Sequence, residues 1–427
     1  MKSATLAACV AVIGIACGGA AVAFDDLAAV APSLRSGRPD LDLRLRYENV
    51  NQANLDDAAR AFTLRTRLGY TTGKWNALDA QVQLENVTAI GADHFNSTDN
   101  GRSRYPVVAD PDGSGVSQAW IRYSGLPMTA IKFGRQRLVY DNARFVGDVG
   151  WRQHLQTYDG VTLTGTWLPK LTFNYAYLYN VNSFRSNLIN GINTRNIGLK
   201  ASQLFNLNYA PAAALSITAY AYLLDFKNDA PLPPAAGAAP NNPRRDTATY
   251  GARAGGTVPL GGFKLGYAAE YAYQQGYRDA ASAPIHAGYY LAELGAARGP
   301  LNARLGYEVL QGDGHYGFQT PLATLHSFQG WADQFLTTPA AGIRDLYFGA
   351  GGTVEKAAIG AVWHDFESDD PSAAHYGSEL DAQITRPLGK GFAVGTKYAR
   401  YYPDHYPAAS GKTYGTAKYW LWLEFRL

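Results

Sequence analysis

The sequence predicts an all-β chain, a transmembrane antiparallel β-barrel of about eighteen strands with both termini on the periplasmic side. Three observations carry that reading. Apolar and polar residues alternate with a period of two from residue 41 to the last residue, which places one set on each face of an extended strand. Beyond the amino terminus no run of 18 apolar residues occurs, so no membrane-spanning helix is expected. Connections alternate between short Gly- and Pro-rich turns and longer polar stretches, the asymmetry of bacterial outer-membrane barrels. Composition agrees. Only 17% of the 427 residues are charged, against about 25% in soluble domains, while Gly (45) and Tyr (29) are abundant. A net charge of +3 gives no sign of nucleic-acid binding.

The first element is a leader. Lys2, an apolar run from Leu6 to Ala16 and the small residues ending at Ala21-Val22-Ala23 have the order of a secretory signal peptide. Removal of residues 1–23 would leave 404 residues starting at Phe24. Both cysteines, Cys9 and Cys17, would leave with it, so disulfides, thiolate metal sites and cysteine nucleophiles are not expected in the mature chain. Residues 24–40 form a short periplasmic lead-in, and residues 41–427 form a single barrel.

Strands follow in sequence. Leu41, Leu43, Leu45 and Tyr47 interleave with Asp42, Arg44, Arg46 and Glu48, and Phe62, Leu64, Thr66 and Leu68 with Thr63, Arg65 and Arg67. The last strand alternates Tyr419, Leu421, Leu423 and Phe425 with Lys418, Trp420, Trp422 and Glu424. Eight short turns, near 72–76, 124–128, 168–170, 210–213, 258–261, 298–300, 353–356 and 386–390, alternate with nine longer stretches, among them 88–115, 138–155 and 312–343. Eighteen strands result. The strands near 116 and 195–208 are the weakest in pattern, and without them the count is sixteen. The Tyr excess is expected at the two membrane interfaces, ring in lipid and hydroxyl in water.

A barrel this wide has a polar lumen. Alternation sends Arg44, Arg46, Arg65 and Arg67 inward on adjacent strands, where like charges facing each other cost stability. Either Asp42, Glu48, Glu85 and Glu424 offset them, or their field is kept for an anionic solute, in which case replacing Arg65 and Arg67 by Glu should weaken anion preference. Arg122, Arg253, Lys264, Arg304 and Lys397 also fall on inward parity, as do Glu270, Glu293, Glu308, Glu379 and Asp381. The loop from Gly312 to Gly342 carries Phe328, Trp331 and Phe335, which need burial either in the lumen or in an extracellular cap.

Three segments resemble a known family. Lys132-Phe133-Gly134-Arg135-Gln136-Arg137, followed by a loop with Trp151 and Arg152, is similar to the Gly-Arg-Gln strand of the bacterial alginate-export family of outer-membrane channels. His326-Ser327-Phe328-Gln329-Gly330-Trp331-Ala332-Asp333, continuing to Arg344, resembles that family's His-x-Phe-x-Gly-Trp-Ala-Asp segment. Tyr376-Gly377-Ser378-Glu379-Leu380-Asp381 resembles its Tyr-Gly-x-Glu-Leu-Asp strand. The resemblance implies a monomeric eighteen-stranded channel whose electropositive constriction passes an anionic uronic-acid polymer.

The expected pore cations are therefore Arg44, Arg46, Arg65, Arg67, Arg122, Arg135, Arg137, Arg152, Arg304, Arg344 and Lys397, and the family-like loop residues are His326, Gly330, Trp331 and Asp333. For Arg135 and Arg137 two placements stand: strict alternation points them outward to lipopolysaccharide phosphates, and a bulge after Gly134 would turn them into the pore. The eight His show no metal spacing, and no Ser–His pair or phosphate loop suggests an enzyme, so no catalytic residue, metal or cofactor is expected. Expected partners are outer-membrane lipid and lipopolysaccharide, the barrel-assembly machinery, an anionic polysaccharide or oligosaccharide, and periplasmic export proteins. A general or small-anion uptake porin is the alternative, and a plugged receptor or adhesin barrel is the alternative of another class.

Overall fold

The computed structural model describes residues 24–91, 94–184, 196–227, 246–278, 285–371, 375–404 and 414–427. The expected leader and the Pro/Ala stretch at 230–243 lie outside them. The described residues begin with helix α1 (Phe24–Arg35), whose last turns hold Ser36 N–H on Pro32 O at 3.0 Å. Tyr70 donates its hydroxyl to Leu34 O, which tethers α1 to the short-turn end of the sheet.

Eighteen strands follow: β1 (Arg38–Gln52), β2 (Ala59–Thr71), β3 (Leu78–Ala89), β4 (Gly113–Tyr123), β5 (Thr129–Gln136), β6 (Thr157–Gly165), β7 (Leu171–Asn182), β8 (Ile197–Ala212) and β9 (Leu215–Leu224) form the first half. The second half is β10 (Thr247–Leu260), β11 (Phe263–Gly276), β12 (His286–Arg298), β13 (Leu301–Leu310), β14 (Ile343–Val354), β15 (Ala357–Glu367), β16 (His375–Gly389), β17 (Phe392–Pro403) and β18 (Thr416–Arg426). Each strand pairs antiparallel with the next, and β1 pairs with β18, so the sheet closes without an edge. Lipid offers backbone groups no hydrogen bonds, and closure is what satisfies them. The two strands weakest in pattern are present as β4 and β8, which gives eighteen and not sixteen. The eight short turns and nine long connections alternate as expected, but β8, β10, β14 and β16 run two to four residues into the expected turns at 210–213, 258–261, 353–356 and 386–390.

Burial follows the period of two. On β2 the residues Ala61, Thr63, Arg65 and Arg67 are buried, whereas Phe62 and Leu68 are exposed to the outside. The outer wall carries Leu294, Leu305, Phe348, Trp363, Leu380 and Leu421, all exposed. The Tyr residues divide in a way that alternation alone does not convey. Tyr250, Tyr271, Tyr307 and Tyr419 stand on the outer surface, but Tyr158, Tyr220, Tyr222, Tyr289, Tyr376 and Tyr401 are buried inside the ring. An interface belt thus accounts for only part of the excess, and the rest packs against loops that fold inward.

Phe145, from the β5–β6 connection, is enclosed by Tyr220, Tyr222, Tyr289 and Phe318 with ring centroids 5.1 to 6.0 Å away. Phe335, from the β13–β14 connection, lies among Phe366, Tyr376 and Tyr401. The two connections join through the Val146–Leu322 bridge and the Gly147 N–H donated to Leu322 O at 2.8 Å. The long loop of residues 311–342 is therefore folded into the lumen.

A bulge makes one of these contacts. The β15–β16 register shifts beside Phe366 and Glu367, and the extra residue lets Tyr376 turn inward, where its hydroxyl reaches Gly342 O at 2.9 Å. Gly377 carries the distortion, with φ of 128°, and a Cβ there would stand 2.2 Å from Tyr402 O. Replacing Gly377 by Val should destabilise the folded barrel by about 1–3 kcal/mol. Urea titration from lipid vesicles, read by gel mobility without heating, measures this directly.

Candidate functional site

The arginine quartet sits where alternation puts it, and β1–β2 register sets Arg44 directly opposite Arg65 and Arg67 opposite Asp42. All four guanidiniums are buried. None is left to carry a free charge. Arg44 pairs with Glu424, Arg46 with Asp110 and Glu48, Arg65 with Asp42, and Arg67 with Glu85 and Asp42. Of the two outcomes open for this cluster, the structure takes the first. The four acids foreseen as offsets are all engaged, and Asp110, from the β3–β4 loop, is a fifth that strand parity could not find.

The quartet instead holds loop backbone. Arg44 and Arg46 donate to Trp151 O at 3.0 and 2.7 Å, and Arg67 donates to Gln153 O at 2.8 Å. A charged donor to a carbonyl is stronger than a neutral one, so the wall of β1 and β2 grips the end of the β5–β6 loop.

Beside it, against the adjoining strands β16 to β18, the family-like segment is a second grip. His326 presents Nδ1 to Asp333 at 2.7 Å and Nε2 to the Lys397 ammonium at 3.0 Å, which places the ring proton on Nδ1. Asp333 also accepts from Lys418 at 2.6 Å and from Arg152 at 3.0 Å. The Lys397 ammonium lies over the rings of Trp331 and Trp151, 3.7 and 4.2 Å from their centroids, where ring faces are negative. Trp151 in turn stacks on His326.

Backbone N–H groups of Trp331 and Ala332 donate to Asp381 at 3.0 Å and Glu379 at 2.6 Å on β16. That approach needs Gly330, since a Cβ there would lie 2.4 Å from the Glu379 carboxyl carbon. The His, Gly, Trp and Asp of the segment are therefore the parts of one latch. Burial and the neighbouring Lys397 lower the His326 imidazole to about 3. Asp333, despite burial, is held well below the ordinary carboxylate range by Lys418, His326 and Arg152.

Three expected pore cations lie elsewhere. Arg135 keeps outward parity: β5 stays in register with β6 through Gly134–Gly160 and Arg135–Asp159. The bulge falls in the neighbouring β6–β7 pair instead, and Arg135 binds Asp159 on the outer face at 2.8 Å. Arg344 likewise takes outward parity on β14 and pairs with Asp369 at 3.1 Å. Arg137, past the strand end, is half exposed and pairs with Asp148 of the β5–β6 loop. Arg122 and Arg304 face the lumen, paired with Asp79 at 2.5 Å and with Glu293 at 3.6 Å.

Arg144, which no pattern singled out, is fully buried between Glu308 at 2.7 Å and the Phe328 ring. At the long-loop end a cavity of about 480 Å³ opens above this region, with Arg144, Arg152, His326, Gln329, Asp333 and Lys418 in its lining.

A family model described as "Alginate export" matches residues 39–324, more than half of the chain. The chain belongs to the alginate-export family. Outer-membrane channels of known structure share its fold over 92% of its length. Pseudomonas aeruginosa OccK9 (OpdG) is 14% identical with a TM-score of 0.70 and all of its own chain covered. Acinetobacter baumannii OccAB2 is 17% identical with a TM-score of 0.68, and P. aeruginosa OpdK with vanillate 13% identical with 0.68, each covered over 99%. No curated protein matches. This member of the family is an outer-membrane β-barrel channel, and its long loops accordingly face the cell exterior.

The latch gives this family member a pH signature. Between an ordinary histidine value of about 6.5 and the folded value of about 3, the unfolded segment binds a proton that the latched His326 does not. The contribution of His326 to latch stability is thus complete above about pH 6.5 and declines as pH falls through that window. Proteolysis of the 311–342 loop should accelerate as pH drops from 7 to 4, and His326→Gln, which keeps a donor and an acceptor without titrating, should flatten that dependence.

Proposed function

We propose that this channel passes anionic sugar polymers or oligomers of the uronate class by diffusion, with selectivity set in the periplasmic half of the lumen rather than by the arginine quartet. One observation carries the reading: in three ion pairs of the lumen wall away from the arginine quartet, the cation is the partner that faces water. Side-chain exposure is 38% for Arg122 against 4% for Asp79, 21% for Arg253 against 2% for Glu270, and 50% for Arg304 against 29% for Glu293. Lys132 adds a cation over Trp120 with no ion-pair partner among the described residues.

A carboxylate set behind its guanidinium keeps the wall near neutrality yet presents positive charge to a solute, and rings of such charge lower the entry cost of anions. Family membership supports a uronate polymer as the solute. Uptake of small carboxylates is the second reading, favoured by the vanillate in the similarly folded OpdK.

In planar bilayers the channel should prefer anions. Arg122→Glu with Arg304→Glu should lower the anion-to-cation permeability ratio about threefold or more, as a potential change near one kT would. An unchanged reversal potential counts against these residues. Arg65→Glu should instead reduce the yield of folded barrel, because it would bury a carboxylate beside Asp42. Oligouronates should block the current from the periplasmic side at lower concentrations than neutral oligosaccharides of equal length. Block by small carboxylates alone favours the uptake reading.

A further inference from the structure

On the lipid-facing wall the strand register assembles a groove. Ala296, Ala303, Ala350, Ala361 and Ala382 stand opposite one another on successive strands from β12 to β16, and Tyr398 of β17 closes the row. The next outward row toward the exterior is bulky, with Leu305, Phe348, Trp363 and Leu380 in register. The row toward the periplasm carries Leu301, Ile359 and Ile384. Behind the groove Gly351 faces Gly360, so the wall is thin. The depression over β14 to β17, lined by Ala350, Ala361, Ala382 and Tyr398, measures about 550 Å³, within the roughly 300–1,000 Å³ of small-molecule sites. Because it runs across strands that tilt about 40°, it lies oblique to the membrane.

Chemistry at its periplasmic edge indicates the occupant. Arg386 is on the outward face of β16, two residues beyond Ile384, and exposed. Arg298, Lys356 and Lys390, in or beside the adjoining short turns, are exposed as well. Glu355 is the one acid in those three turns, and none of the four cations makes an ion pair among the described residues. An apolar slot ending in a basic rim at headgroup level matches an acyl chain joined to an anionic phosphate group. A second copy of the barrel fits less well, since it would bring two such rims together.

We propose that this groove binds an anionic phospholipid of the inner leaflet, one acyl chain lying along the alanine row and the phosphate on Arg386. Native mass spectrometry of the whole barrel, extracted in mild detergent and titrated with phosphatidylglycerol or phosphatidylethanolamine, tests it. The wild type should retain one phosphatidylglycerol in preference to phosphatidylethanolamine. Ala361→Leu with Ala382→Leu, which fills the slot from the lipid side, should abolish retention. Arg386→Ser should weaken phosphatidylglycerol retention about fivefold and leave phosphatidylethanolamine unchanged. Folding of each variant is read from its gel mobility without heating. Equal retention by folded wild type and filled variant overturns the proposal, as does a dimer that the filling substitutions dissociate. If the filled variant does not fold, the lipid preference of wild type and Arg386→Ser decides, and equal retention of the two lipids by both overturns it.

Discussion

Closing eighteen strands into one ring satisfies every wall backbone group against lipid but encloses a lumen wider than the inward side chains can fill. That surplus volume governs the rest of the structure. The β5–β6 and β13–β14 connections occupy it, and their Phe145, Trp151, Phe318 and Phe335 meet inward aromatic residues of the wall. The result is a hydrophobic core inside a membrane channel. Burial of aromatic area supplies the attraction, while charged hydrogen bonds to loop carbonyls and amides determine where each loop comes to rest.

Electrostatics in the lumen follow from that packing. A buried cation without a partner would cost far more than a single ion pair returns, so the inserted loops and neighbouring strands bring acids to the quartet and cations to Asp333. Where loops cover the wall, charges cancel in pairs and act as fasteners. Where the wall is left wet, as at Arg122, Arg253 and Arg304, the same pairing leaves the guanidinium outermost. One sequence feature, Arg at inward parity, thus serves two roles, and the divide is drawn by which loop lies over it.

Gly at three places shows how closely backbone and motif are tied. Gly330 admits the loop to the Glu379 carboxylate, Gly377 carries the bulge that turns Tyr376 inward, and the Gly351–Gly360 pair thins the wall behind the outer groove. Each occupies a spot where any side chain would meet backbone or a buried carboxylate, or thicken the sheet.

Strand number, strand order, the face taken by side chains in unbroken strands and four of the five acids around Arg44, Arg46, Arg65 and Arg67 were legible in the linear pattern, because a period of two is a local property and antiparallel neighbours are consecutive. Arg135 kept the outward parity that its strand dictates. Tertiary structure alone decided that the quartet binds loop carbonyls, that Asp110 and Arg144 are buried in the lumen, and that His326, Asp333, Lys397 and Lys418 meet. Those contacts join residues up to hundreds of positions apart through loops with no periodicity. Alternation encodes which way a side chain points from the wall, whereas what it touches depends on how irregular chain fills the volume that the wall encloses.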